Sequence, residues 1–229
     1  MKSALHNKIL TRGYWQTIIR PGAFMEKRVD DITSLFSTVE KVQVRLRGWY
    51  FPHIDYKESY KIDFDWVGQE FEWEHHKSIW RFYQSGLFFH IAALPLDWRD
   101  ESNLWPADNN WKAGTLLGIG DTVATLTEII EFAARLALSE AGDDMMHIEI
   151  LAGNLQDRLL YVDSHKRWSL DGRYQTSMAK FPDEIDIERS SLISSSKDLA
   201  LQVARDLFKR FRLDIEMETL RSWQEELRA

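Results

Sequence analysis

Cysteine is absent from all 229 residues. That excludes a disulfide framework, a thiolate nucleophile and any cysteine-ligated zinc. Long apolar runs are missing as well. None approaches the ~20 residues of a membrane-spanning helix, and residues 1–10, with Lys2 and Lys8 and no apolar centre, do not form a signal peptide. The expectation is a soluble cytoplasmic protein with no membrane partner. Prolines number only five, and no Pro/Ser-rich linker, repeat or low-complexity tract divides the chain. One continuous domain over residues 1–229 is therefore expected. Excess positive charge is missing too: the net charge of −7 argues against broad, phosphate-driven nucleic-acid binding. The first sixty residues are locally basic, whereas residues 61–150 are strongly acidic.

Complete catalytic and cofactor motifs are also lacking. HExxH and G-x-S-x-G do not occur, and no cofactor is implied. Gly118-Ile119-Gly120 precedes a helix, but Val123 stands where the dinucleotide fingerprint needs a third glycine, no Walker lysine follows, and Asp121 would repel an anion. A tight turn into a buried helix is the expected role of this segment.

Tryptophan is abundant. Seven of the ten (Trp49, Trp66, Trp73, Trp80, Trp98, Trp105, Trp111) fall within residues 49–111. An indole is bulky and its N–H needs a partner, so such a run builds either a rigid core or an aromatic contact surface. The Trp-rich region, about 42–111, reads mainly as strands. Val42, Val44 and Leu46 alternate with Gln43, Arg45 and Arg47, the pattern of a half-buried strand. Residues 79–83 and 87–93 form a hairpin around Ser85-Gly86. Asp30 or Asp31 caps a short helix running to about Glu40. Helical periodicity appears at 122–140, with Asp121 as N-cap and Gly142 as stop, at about 196–211, and in a short last helix at about 216–227. Residues 145–151 and 159–162 read as a strand pair, with a further strand at 185–187. The predicted class is α+β: a mainly antiparallel sheet with two or three long helices packed against it.

Three places hold candidate chemistry. On a strand, alternate residues share a face; Glu70, Glu72, Glu74 and His76 have one parity and could hold a divalent metal or supply a general base, the chemistry of a metal-dependent hydrolase or nuclease. The bland alternative is a ladder in which these carboxylates pair with Arg45 and Arg47 on a neighbouring strand. Those two arginines, if free, would be the nucleic-acid-binding residues. In the polar loop 95–114, Trp98, Arg99 and Trp105 are residue types that anchor protein interfaces, unless the tryptophans fold back over the core. His90, in an apolar strand, reads as a hydrogen-bonded core histidine.

Several strings together resemble a known family: Val44-Arg45-Leu46-Arg47-Gly48-Trp49, Phe51-Pro52-His53-Ile54, Asp65-Trp66-Val67-Gly68-Gln69-Glu70, Trp80-Arg81-Phe82-Tyr83-Gln84-Ser85-Gly86 and Glu131-Phe132-Ala133-Ala134-Arg135-Leu136-Ala137-Leu138. They resemble the C-terminal region of bacterial proteins that carry an N-terminal AlbA- or Schlafen-like DNA-binding domain. The resemblance spans most of the chain and brings no catalytic residues with it. It implies an accessory or sensing domain of a nucleic-acid-associated or defence-type system, with nucleic-acid activity in a module not present here. The expected function is thus a non-enzymatic module that binds a protein partner, or itself, through a Trp-rich surface.

Overall fold

A computed structural model of the chain describes residues 3–56, 59–104, 106–107, 111–164, 167 and 169–226. The chain runs α1 (Ala4–Ile9), β1 (Tyr14–Pro21), α2 (Ser34–Val42), the short strands β2 (Val44–Arg45) and β3 (Tyr50–Phe51), then β4 (Lys61–Ile62), β5 (Trp66–Trp73), β6 (His76–Tyr83) and β7 (Phe88–Ala93). A 3-10 segment (Pro95–Glu101) leads to β8 (Leu116–Gly118), α3 (Ile119–Ala137), β9 (Met145–Gly153), β10 (Leu159–Tyr161), β11 (Lys180–Glu188), α4 (Arg189–Arg210) and α5 (Met217–Glu226). Seven strands form one sheet in the order β11-β9-β1-β7-β6-β5-β4, antiparallel at every pairing. The fold is α+β with a mainly antiparallel sheet. Among the described residues no helix is long and apolar enough to cross a membrane.

Strand parity sorts the side chains between two faces. Val67, Phe82, Phe88, Ile19 and Ile148 lie in one cross-strand row, and all belong to the main core, where α2, α3, α4 and α5 contribute Phe36, Phe132, Leu207 and Trp223. The opposite face carries a second, smaller core of Leu5, Ile9, Tyr14, Ile79, Ile91 and Trp98 under α1. A buried ion pair ties this end together. Arg158 and Asp97 are 0% and 2% exposed. Asp97 also accepts from Gly13 N–H (2.7 Å) and Gly114 N–H (2.9 Å), so one carboxylate of the 3-10 segment ties together the residues just before β1 and β10 and the loop before β8. Gly13 leaves room for it, because a Cβ there would run into the Arg158 guanidinium and the Asp97 carboxylate.

Several boundaries differ from the sequence reading. The 42–47 strand is reduced to two residues, because α2 continues through Val42 and the chain reverses at Gly48, whose φ of +86° favours glycine. Its partner is β3 (Val44↔Phe51, Arg45↔Tyr50). The 159–162 strand does not pair with β9; β10 lies parallel to β8. Helix α3 starts at Ile119, ahead of Asp121, with Gly118 as its N-cap. Helix α4 starts earlier than expected, at Arg189, and is interrupted at Ser195 (φ −129°).

Candidate functional site

A cavity of about 350 Å³ lies between the sheet and α3, next to the β2–β3 turn. The register explains the hollow. One cross-strand row on the helix-covered face reads Phe71–Ser78–Ala92–Trp15, with its two smallest side chains at the centre. Two rows along, Phe88 and Phe132 close the space, their rings 4.5 Å apart. Above the small pair, Asp121, Thr125, Glu128 and Ile129 occupy one face of α3 and form the roof. Arg47, Trp49, Phe51 and His53 form a side wall, and His76 and Phe71 an end.

The wall is latched to the helix by one arginine. Arg47 donates from Nε to Glu128 Oε1 (3.1 Å), from Nη2 to Glu128 Oε2 (2.6 Å) and Thr125 Oγ1 (3.1 Å), and from Nη1 to Asp121. Arg135, two turns beyond Glu128 on α3, donates to the Gln43 carbonyl. The polar stripe of α3 is therefore the seat of residues 43–47. Burial pushes the Glu128 carboxyl above its usual range, and Arg47 opposes that shift.

Three histidines border the cavity, and burial pushes each of them down. His90 falls to about 3. Its neighbours are rings: Phe51 edge-on at 4.8 Å and Phe88 stacked at 6.2 Å. Its burial matches the sequence reading, but no charged neighbour offsets the desolvation. His76 falls to about 4, through burial first and then through His75, Arg47 and His53. His53 is lowered by burial, with Asp55 opposing. All three are neutral at pH 7. Trp49 gathers this end together, with His53 at 4.7 Å, His76 at 4.8 Å and Trp73 at 5.7 Å. Two buried polar atoms of lining residues, Trp15 Nε1 and His53 Nδ1, have no hydrogen-bond partner among the described residues.

No protein-family model, curated protein or solved structure matches this chain.

The predicted sites fare unequally. Glu70, Glu72, Glu74 and His76 do not converge. A two-residue turn, with Glu74 at φ +49°, joins β5 to β6 and sets His76 opposite Trp73. The parity count fails at that turn, so His76 lies on the aromatic face and Glu70 and Glu72 on the other. There Glu70 meets Lys61 (3.4 Å) and Glu72 meets Lys8 (2.7 Å). Glu74 accepts from Ser102 Oγ (2.9 Å). Among the described residues no group of three or more His, Asp or Glu is placed to hold a metal ion. The arginine–glutamate ladder does not form either, because β5 pairs with β4 and β6 while β2 pairs with β3. Arg47 is engaged by α3, and Arg45 lies over the Tyr50 ring at 5.4 Å.

Trp98 is not a surface anchor. It is 2% exposed, packed in the second core and flanked by Arg12 at 4.1 Å and Lys77 at 4.5 Å. Apolar neighbours on one side and cations over the ring bury it better than solvent could. Arg99 donates to the Pro106 carbonyl (2.8 Å), and Trp105 lies outside the described residues. At the N-terminus of α3, the Gly120 and Asp121 N–H groups donate to Asp163 Oδ1 (2.7 Å) and Oδ2 (2.8 Å). A carboxylate of the chain itself fills that anion site, and a Cβ at Gly118 or Gly120 would strike it. Sequence reasoning missed the cavity residues Ser78 and Ala92, since small residues on a strand carry no signal until the register aligns them.

Proposed function

We propose that the chain is a small-molecule-binding module whose ligand occupies the cavity between the sheet and α3. One observation carries this reading: a cavity of about 350 Å³ between the sheet and α3 is lined mainly by aromatic and apolar side chains, among them Trp15, Trp49, Phe51, Phe71 and Ala92, while the charged groups Arg47, Asp121 and Glu128 at its edge are engaged with one another. A predominantly apolar hollow of this size with a few polar groups is the ordinary form of a ligand site. A sensing role in the cytoplasm, as the sequence resemblance implies, accords with such a cavity.

The test is a thermal melt with added indole. The account expects a saturable rise in Tm that disappears in Ala92→Leu, a substitution that fills the hollow and leaves the melt of the free protein cooperative. No saturable rise in the unaltered protein, or equal binding by Ala92→Leu, would overturn the reading.

A protein partner remains a second reading, on different residues from those the sequence singled out. Trp49, Tyr50 and Trp73 are 38%, 48% and 41% exposed and lie at the same end of the sheet, where a partner could cover them. Sedimentation of the purified protein tests self-association through this rim: a dimer abolished by Trp73→Ser supports it, and a monomer at all concentrations refutes it.

A further inference from the structure

We propose that the ligand is a small organic cation, a protonated amine carried on a flat apolar body, bound with its charge toward the α3 roof of the cavity. This rests on the reading of the cavity as a ligand site and goes further by naming the ligand's charge and chemistry.

The charges of the lining do not balance. Among the described residues, two carboxylates, Asp121 and Glu128, and two basic side chains, Arg47 and Lys77, contribute to it besides the histidines. Lys77 is answered elsewhere. Its ammonium lies 4.5 Å from the Trp98 ring centre and 3.0 Å from Glu101, on the opposite face of the sheet. Arg47 alone meets both carboxylates, through both oxygens of Glu128 and one of Asp121. One negative charge is left over. Two further arginines of this region are off the lining: Arg135 donates to the Gln43 carbonyl, and Arg45 is exposed over the Tyr50 ring. His53, His76 and His90, each pushed down by burial, are neutral at pH 7 and add no positive charge.

Neighbouring carboxyls feel the excess. Burial raises Glu128; Arg47 opposes the shift, while Asp121 and Glu131 push the same way as burial. Burial likewise raises Asp163, the acceptor at the start of α3, and Asp121 adds to that shift. A cation in the cavity relieves this repulsion, whereas an anion adds to it. In a lining of low dielectric such attraction acts over several ångströms and needs no direct contact.

The rings favour the same ligand. Trp49, Tyr50, Phe51 and Phe71 are on the lining, and the face of an aromatic ring attracts an ammonium, that of Trp most strongly. The small pair Ser78 and Ala92 leaves room between Phe71 and Trp15 for a flat apolar body.

Three probes share one indolylethyl body and differ in charge: tryptamine is positive, tryptophol neutral and indole-3-propionate negative. Each is titrated calorimetrically at pH 7.5. The expected result is that tryptamine binds about tenfold tighter than tryptophol, and that the propionate binds at least about tenfold more weakly than tryptophol. Asp121→Asn, which removes the left-over charge, should bring the affinity for tryptamine down to that for tryptophol. The comparison of probes uses the unaltered protein and does not depend on that variant folding. Equal affinity for tryptamine and tryptophol, tightest binding of the propionate, or a tryptamine advantage that survives Asp121→Asn would overturn the ligand class while leaving the cavity a ligand site. Saturable binding of none of the three would remove the site itself.

Discussion

Arg47 and Glu128 stand 81 residues apart in the chain and meet through two hydrogen bonds of 3.1 and 2.6 Å, joining the β2–β3 turn to the centre of α3. Only 5% of the Glu128 side chain is exposed, against 32% for Arg47. Replacing Arg47 by Met therefore leaves a buried carboxylate without its cation. The expected loss is about 2 kcal/mol, less than the ~3–5 kcal/mol of a fully buried pair because Arg47 keeps contact with solvent. Glu128→Gln on that background should restore most of the loss, since the amide carries no charge. A double-mutant cycle by urea denaturation measures both.

The Asp97–Arg158 pair is the more severe case. Both side chains are within 2% of full burial, and Asp97 also holds two backbone N–H groups. Asp97→Asn should cost about 3–5 kcal/mol and lower Tm accordingly. A loss under about 1 kcal/mol would show that the pair is not buried as described.

Acid should weaken the fold through His90. Its imidazole is held down to about 3, against an ordinary value of 6.5. Between those values the unfolded chain binds a proton that the folded protein does not. Stability is therefore complete above pH 6.5 and lost as pH falls toward 3, on the order of 1 kcal/mol per pH unit. His76, held down to about 4, acts in the same direction. His90→Phe, a ring among the rings of Phe51 and Phe88, removes one share of the slope. Urea midpoints at pH 7.5 and 5.0 for the two proteins check this, and identical slopes would contradict it.

The tryptophans divide by burial. Trp98→Ala empties the second core and should cost about 3–5 kcal/mol, whereas Trp49→Ala, at the exposed rim, should cost about 1 kcal/mol. Chemical denaturation of the two variants decides between them.

Periodicity made the elements legible. The apolar spacing of α3 and the hairpin at Ser85-Gly86, where Gly86 adopts φ +84°, stand as the sequence indicates, because both signals are local. The site was less legible. The face of His76 depends on one residue, Glu74, turning the chain at positive φ, and an unbroken alternation of Glu, Trp and His conceals that turn. Trp98 sits in a stretch of polar composition, yet Lys8, Arg12 and Lys77 lie over its ring and α1 packs against it, contacts that no local pattern announces. The partners of Arg47 lie in α3, beyond the reach of any strand-pairing argument.

The most direct test of the cavity is the Trp15 side-chain resonance. In a proton–nitrogen correlation spectrum of ¹⁵N-labelled protein titrated with unlabelled indole, the ring current of a ligand lying beside Trp15 should give a saturable shift of the Trp15 Nε1–H signal, while that of Trp98, on the opposite face of the sheet, stays in place. A Trp15 signal that does not move, or signals that all drift together without saturating, would contradict it.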